Sequence, residues 1–421
     1  MRAAIQLVAA VVLLVGSAFA VTRFDPQQLP ESTAVPPVVE NKSVCVPAAE
    51  SATAYLGTAD ALSSLGGEPV AAPASQVVQD ITEVQVLTAH HHLLGGTMAG
   101  SGSARSFASC EPPLAAGALV VGSSQDTELV IVNSDAAEAS IDLTLFSAEG
   151  ELEALGSRGI AVAPGASRVI ALSVLADVEG PVGVAYTASV GRATVVARRN
   201  TGELADTLSS SMAQQQVFLP GVPADATAAT IVIANPGNDR AAVDITALGA
   251  TPAYTPAGGG NLTVPARSTL AVPLAEALAG EPTTLQVDSD APVVASLVMA
   301  KGGSDQGFVA PVTAQTQLGA VVPAGGVLQV TNPGQGPVSL DVAVRPLEGE
   351  PSQTSLDIPA GTTFTLPIEA AGPSTVEIIS GEPVVAVVTF VGEGGTTVVP
   401  VQPAGAVEAT SLDARIDPHL R

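Results

Sequence analysis

Three times along this chain an aliphatic run ends in Asn, a turn follows, and a second run alternates apolar with polar residues. The copies read Leu129-Val-Ile-Val-Asn133 before Ile141-Asp142-Leu143-Thr144-Leu145, Ile231-Val-Ile-Ala-Asn235 before Val243-Asp244-Ile245-Thr246, and Leu328-Gln-Val-Thr-Asn332 before Leu340-Asp341-Val342-Ala343-Val344. Asn and Asp stand nine residues apart in every copy. A slip of one residue would turn a strand's apolar set from core to solvent, so a spacing kept this closely marks three copies of one structural unit. Four apolar residues ahead of the Asn, without polar alternation in two copies, suit a strand buried on both sides or at the heart of a sandwich. The turns Asn235-Pro236-Gly237 and Asn332-Pro333-Gly334 combine a side chain that bonds backbone two residues on, a preset φ and a free φ. In the following run Ile141, Leu143 and Leu145 share one face and Asp142 and Thr144 the other, the period of a half-buried antiparallel strand.

Two further landmarks recur. Pro164-Gly-Ala-Ser167, Pro265-Ala-Arg-Ser268 and Pro359-Ala-Gly-Thr362 stand 31, 30 and 27 residues after their Asn. Pro181-Val-Gly-Val-Ala185, Pro292-Val-Val-Ala-Ser296 and Pro383-Val-Val-Ala-Val387 open the penultimate strand of each unit on this reading. Each unit of roughly 90 to 110 residues then holds about six or seven strands, the size and strand density of an immunoglobulin-like β-sandwich. The expected fold is all-β, with tandem immunoglobulin-like repeats over residues 119–200, 217–312 and 318–404 and polar linkers at 201–216 and 313–317. The 33 prolines would break long helices in any case. In a rival arrangement each unit is two propeller blades, and the repeats with the N-terminal segment close a ring of about seven.

Ahead of the repeats, residues 1–21 carry a short basic start, an apolar stretch and the small-x-small site Ala18-Phe19-Ala20, the pattern of a signal peptide. The same stretch is long enough to stay as a membrane anchor. Residues 22–43 hold four prolines among polar residues and read as an extended stalk, and residues 405–421 form a polar tail. The segment 44–118 is bracketed by the only two cysteines, Cys45 and Cys110, which in an exported chain pair most simply as one disulfide. Its strand candidates are few, chiefly Val77-Val78 and Glu83 to Thr88, with Ala- and Gly-rich turns between them. His90 and His92, if they continue that last strand, point the same way, but no third metal ligand accompanies them, and they read as a polar strand end. The loop expected at Gly95-Gly96-Thr97-Met98-Ala99-Gly100 lacks the Lys-Ser/Thr of a phosphate-binding loop.

The net charge of −25 repels phosphate backbones and anionic headgroups, which argues against nucleic acid and against membrane contact beyond the N-terminal segment. No nucleophile elbow, zinc-protease motif or Cys/His constellation is present. Asp288-Ser-Asp290 reads as a solvated turn, and Asp142, Asp244 and Asp341 as exposed strand positions. Sugar sites want aromatic platforms, and Tyr55, Tyr186 and Tyr254 are the only tyrosines in a chain without Trp.

The order of Cys110-x-x-Pro113, the strand Leu119-Val-Val-Gly-Ser123, Thr127-Glu128-Leu129 through Asn133, and three sandwich-like repeats behind an N-terminal anchor resembles an uncharacterised, envelope-anchored family of actinobacteria, over roughly residues 44 to 400. That resemblance implies an exported protein beside the cell wall and carries over no catalytic residue. The expectation is a non-enzymatic envelope scaffold, without cofactor or metal, whose partners are other envelope proteins. The alternative is a binding module for wall polymer or a small ligand.

Overall fold

The aliphatic runs that end in Asn are strands, Thr127–Asn133, Ala228–Asn235 and Val327–Asn332, and each is second of the seven strand positions of a two-sheet sandwich, two of which are split in repeat one and to which repeat three adds the short strand Gln402–Pro403. In the computed structural model, which describes residues 41–73, 76–102, 104–200, 205–301 and 306–404, all three repeats follow one scheme. The second strand pairs with the fifth (Ala166–Ala171, Ser268–Pro273, Thr362–Pro367) and with the later part of the sixth. The third strand (Ala139–Ser147, Ala241–Leu248, Val338–Pro346) pairs with the early part of the sixth. The first strand pairs with that same early part and the seventh with the later part. Second with fifth, third with sixth, and sixth with seventh are pairings that an immunoglobulin-type sandwich also makes.

The sixth strand serves both sheets. In repeats two and three it is one long strand, Thr283–Ala300 and Ser374–Gly392. In repeat one it is split into Val182–Val190 and Thr194–Asn200 by Gly191, whose φ is +70°. Pro292 and Pro383 therefore lie at the crossing between sheets, where no ladder bond is asked of them, and not at a strand start. Residue-by-residue pairing with the second strand gives Arg192, not Pro181, as their counterpart in repeat one. The other proline landmark is offset by one there too, since Asn133 faces Ala166 whereas Asn235 faces Ser268 and Asn332 faces Thr362.

Both expected linkers contain strands. Ala205–Ser209 is the seventh strand of repeat one, Gln214–Val222 opens repeat two, and Gln315–Val322 opens repeat three. The N-terminal segment is also richer in strands than expected. Its eight strands in chain order are Asn41–Cys45, which begins within the expected stalk, Ala52–Gly57, Ala61–Ser64, Val70–Ala71, Gln76–Ile81, Gln85–Ala89, Leu94–Ser101 and Ala104–Glu111, and they form a sheet in the order 4-3-6-1-8-7-2-5 around a core that includes Leu56, Leu87, Ala108 and the disulfide. The expected loop at 95–100 is part of the strand Leu94–Ser101. Glycine serves there because the ring of Phe107 on the neighbouring strand lies over Gly96, and a Cβ at that position would stand 2.1 Å from its Cζ.

The described residues belong to one compact unit in which the four modules meet in a closed cycle. Val44 and Val46 of the N-terminal module pack on Val130, Val132 and Val196 of repeat one. Ala118 and Val120 of repeat one pack on Val232, Ala234 and Val294 of repeat two. Val385, Val387 and Val398 of repeat three join the core of repeat two, and Tyr55, Met98 and Phe107 of the N-terminal module pack against that of repeat three. Four strands lie against one another in cyclic order at the middle: Ala104–Glu111, Ala205–Ser209, Gly307–Val309 and Gly395–Pro400. Each repeat is a two-sheet sandwich rather than a pair of propeller blades.

Candidate functional site

The polar positions that recur in the three repeats have structural employment. Asn133, Asn235 and Asn332 are buried, at 0%, 0% and 1% exposure. In each, Nδ2 donates to the carbonyl four residues on (Ala137, Asp239, Gly336, all at 2.8 Å) and to two carbonyls ahead of the fifth strand. Oδ1 accepts from the N–H two residues on, at 2.9 to 3.0 Å, the turn bond expected from sequence. Of the aspartates nine residues on, Asp142 is half-buried and Asp244 and Asp341 are exposed, and all three are bonded. Asp142 and Asp244 accept at 2.7 Å from Gly159 N–H and Asn261 N–H, just ahead of the strands Ile160–Val162 and Leu262–Val264, and Asp341 accepts at 2.5 Å from Ser355 Oγ in Ser352–Ile358, so each ties the strand that pairs beside the third to it.

Cys45 and Cys110 form the expected disulfide between directly opposed residues of paired strands. His90 pairs with Asp60 at 2.7 Å, and among the described residues no group of His, Cys, Asp or Glu is placed to hold a metal ion. Asp288 accepts from the side chains of Gln216 and Gln286, and Asp290 from Ala242 N–H. The tyrosines are not brought together: Tyr55 packs at the seam with repeat three, Tyr186 lies in the core of repeat one, and Tyr254 receives Ala279 N–H in repeat two.

The site that the fold does assemble lies at the junction of the four modules and is built on Ala104–Glu111. Alternation along this strand sends Ser106, Ala108 and Cys110 into the N-terminal core and leaves Arg105, Phe107, Ser109 and Glu111 facing the other modules. Hydroxyls from those modules reach its carbonyls: Thr397 Oγ1 donates to Arg105 O at 2.6 Å, Thr207 Oγ1 to Phe107 O at 2.7 Å, and Thr194 Oγ1 to Glu111 O at 3.3 Å. The Arg105 guanidinium lies 4.4 Å from the ring centre of Phe390 in repeat three.

Beside this strand is an open cavity of about 420 Å³ lined by all four modules, among them Glu111 and Pro112, Ser211, Pro311 and Val401. Glu111 is half-buried and lines the cavity, and the protein packed around its carboxyl strips it of most of its water. Burial therefore pushes its pKa up to about 7, against a smaller opposing effect of the hydrogen bond with Ser209 of repeat one. Sequence reasoning did not single out Glu111. The signal was a lone carboxylate on the outward side of a strand, held between the disulfide Cys110 and Pro112-Pro113.

The sequence model of a family of unknown function, DUF5719, matches residues 72–369. The chain belongs to this family. The matched stretch runs from within the N-terminal module of this DUF5719 chain to the fifth strand of repeat three. No curated protein matches the chain. A solved structure titled as a tetra-tandem repeat in the extending region of a large adhesion protein aligns at 12% identity over 88% of this chain and all of its own, with a TM-score of 0.09, far below the level at which folds superimpose.

Proposed function

We propose that this protein is a non-enzymatic, exported scaffold of the cell envelope, of the actinobacterial type its motif order resembles, which presents a rigid body to other envelope proteins. The observation that carries the reading is the closed cycle of modules, in which each repeat buries the outer face of its second strand on the module before it. A body so locked fixes the geometry of every outward loop at once, which suits holding partners in a set arrangement. The disulfide supports an oxidising compartment. The apolar segment 3–21, outside the described residues, supplies export and either cleavage or anchoring. Among the described residues no helix is long and apolar enough to cross a membrane.

The test is in-cell cross-linking of a tagged copy, purified from the envelope fraction beside a tagged unrelated secreted sandwich. Reproducible enrichment of one or two proteins is the expected result. Recovery of wall polymer alone would replace the scaffold with a polymer-binding module.

A further inference from the structure

The junction cavity has the properties of a small-molecule site, and this holds whether or not the protein is a scaffold. Its volume, about 420 Å³, falls in the range of ligand pockets. Leu93, Pro112, Ala310, Pro311, Val312 and Val401 give it a mainly apolar wall. Three of its lining residues are ionisable: Lys42, His92 and Glu111. The Lys42 ammonium is held elsewhere, donating to Ser134 O at 3.0 Å and to Asp135 at 3.1 Å. Glu111 is the one carboxylate among the lining residues described. A carboxylate has about four acceptor sites, so the single hydrogen bond with Ser209 leaves it room for a further donor.

A divalent cation does not fit this donor set, since calcium or magnesium takes about six or more oxygens, usually with several carboxylates. An anion lacks a counter-charge here, because the Lys42 ammonium is already paired with Asp135. We propose that the cavity binds a small organic ammonium compound, with Glu111 as the counter-ion and the Leu93, Pro311 and Val401 side of the wall receiving its apolar body. The cation offsets the desolvation that keeps Glu111 protonated, so binding ionises the carboxyl and releases its proton. The site exists only while the four modules are closed on one another, because each contributes wall.

The experiment is isothermal titration of the full chain with benzylammonium at pH 7, in two buffers of different ionisation enthalpy, beside the neutral isostere benzyl alcohol. Wild type, Glu111→Gln and Glu111→Asp are compared. Wild type is expected to bind benzylammonium saturably and to release about half a proton per ligand, as a carboxyl with a pKa of about 7 requires. Glu111→Gln should weaken benzylammonium about tenfold or more and abolish proton release, while leaving benzyl alcohol within about twofold. Glu111→Asp should retain proton release, which a merely structural role would not produce. Absence of saturable benzylammonium binding to wild type, or equal benzylammonium affinity in wild type and Glu111→Gln, overturns the proposal.

Discussion

Glu111 makes the stability of this protein fall as pH rises from about 4.5 to about 7, and Glu111→Gln removes that fall. In the folded chain the carboxyl keeps its proton to about pH 7, whereas unfolded it loses the proton near its ordinary value of 4.5. Between those values the folded state binds more protons, so stability declines with pH. The decline is complete above about pH 7 and amounts to about 3 kcal/mol at 1.36 kcal/mol per unit. Gln has the same shape, preserves a hydrogen bond to Ser209 and carries no charge, so the variant should match wild type near pH 4.5 and exceed it by about 3 kcal/mol at pH 8.5. For four modules unfolding together this is about 4 °C in the melting midpoint, and more for a module that unfolds alone.

The assay is thermal unfolding of both proteins from pH 4.5 to 8.5, read as the difference between them at each pH. Other titrations cancel in that difference. Asp135 adds little in this window, because its hydrogen bonds with Arg192 and then Lys42 hold its pKa below the usual carboxylate value, and its contribution is lost only as pH falls through that lowered value. Curves that stay parallel over the whole range would refute the assignment of a buried, protonated Glu111.

Three further outcomes are expected. Asn235→Ala removes the bonds to Asp239, Val264 and Pro265 carbonyls and to Gly237 N–H at a fully buried position, and should cost about 3 kcal/mol or more in urea unfolding. Gly96→Ala drives a methyl group into the Phe107 ring and should cost about 1 to 3 kcal/mol, with the combination Gly96→Ala/Phe107→Ala less damaging than the sum of the two. Replacing both Cys45 and Cys110 with Ser opens a link of sequence separation 65 and should destabilise the N-terminal module by about 4 kcal/mol, measured against wild type by denaturant unfolding without reductant.

What could be seen in the sequence was local. Asn235 with Pro236 and Gly237 specifies its own turn, and Ile141, Leu143 and Leu145 specify a strand with one buried face, so the repeats and their sandwich class were legible. The crossing strand was not, because Pro292 and Pro383 inside an aliphatic run have the same appearance as a strand start. Polar residues at 201–216 suggested a linker because Thr207 finds its partner only in space, at the Phe107 carbonyl. The Gly95-Gly96 strand was hidden for a similar reason, since its apolar cover is supplied by Phe107. Glu111 shows locally only as a carboxylate between Cys110 and Pro112-Pro113: its burial depends on which modules close over it.

The same limit explains why the cycle of modules was not foreseen, and the third repeat shows what closes it. In repeats one and two the second strand is aliphatic on both faces, one set for its own core and one for the module before it. Leu129 and Ile131 cannot be told from Val130 and Val132 by composition. In repeat three the outward positions are Gln329 and Thr331, which in an isolated strand read as a solvent face, yet they are 2% and 0% exposed. Their seam with repeat two is a chain of hydroxyls. Thr363 donates to the Leu248 carbonyl at 2.5 Å, leaving Thr331 to donate to Thr363 at 2.8 Å and Thr284 to donate to Thr331 at 2.6 Å. Every hydroxyl in that chain has an acceptor only because repeat two stands where it does. The counterpart of Thr363 in repeat two, Thr269, likewise donates to a carbonyl of the module before it, that of Pro181 at 3.1 Å, but the second strand there carries Ala234 where repeat three has Thr331, so the chain of hydroxyls belongs to the third seam. The polar alternation of the third copy is thus a buried seam that the sequence alone shows as a solvent face, and it lies in the closed cycle whose modules line the junction cavity beside Glu111.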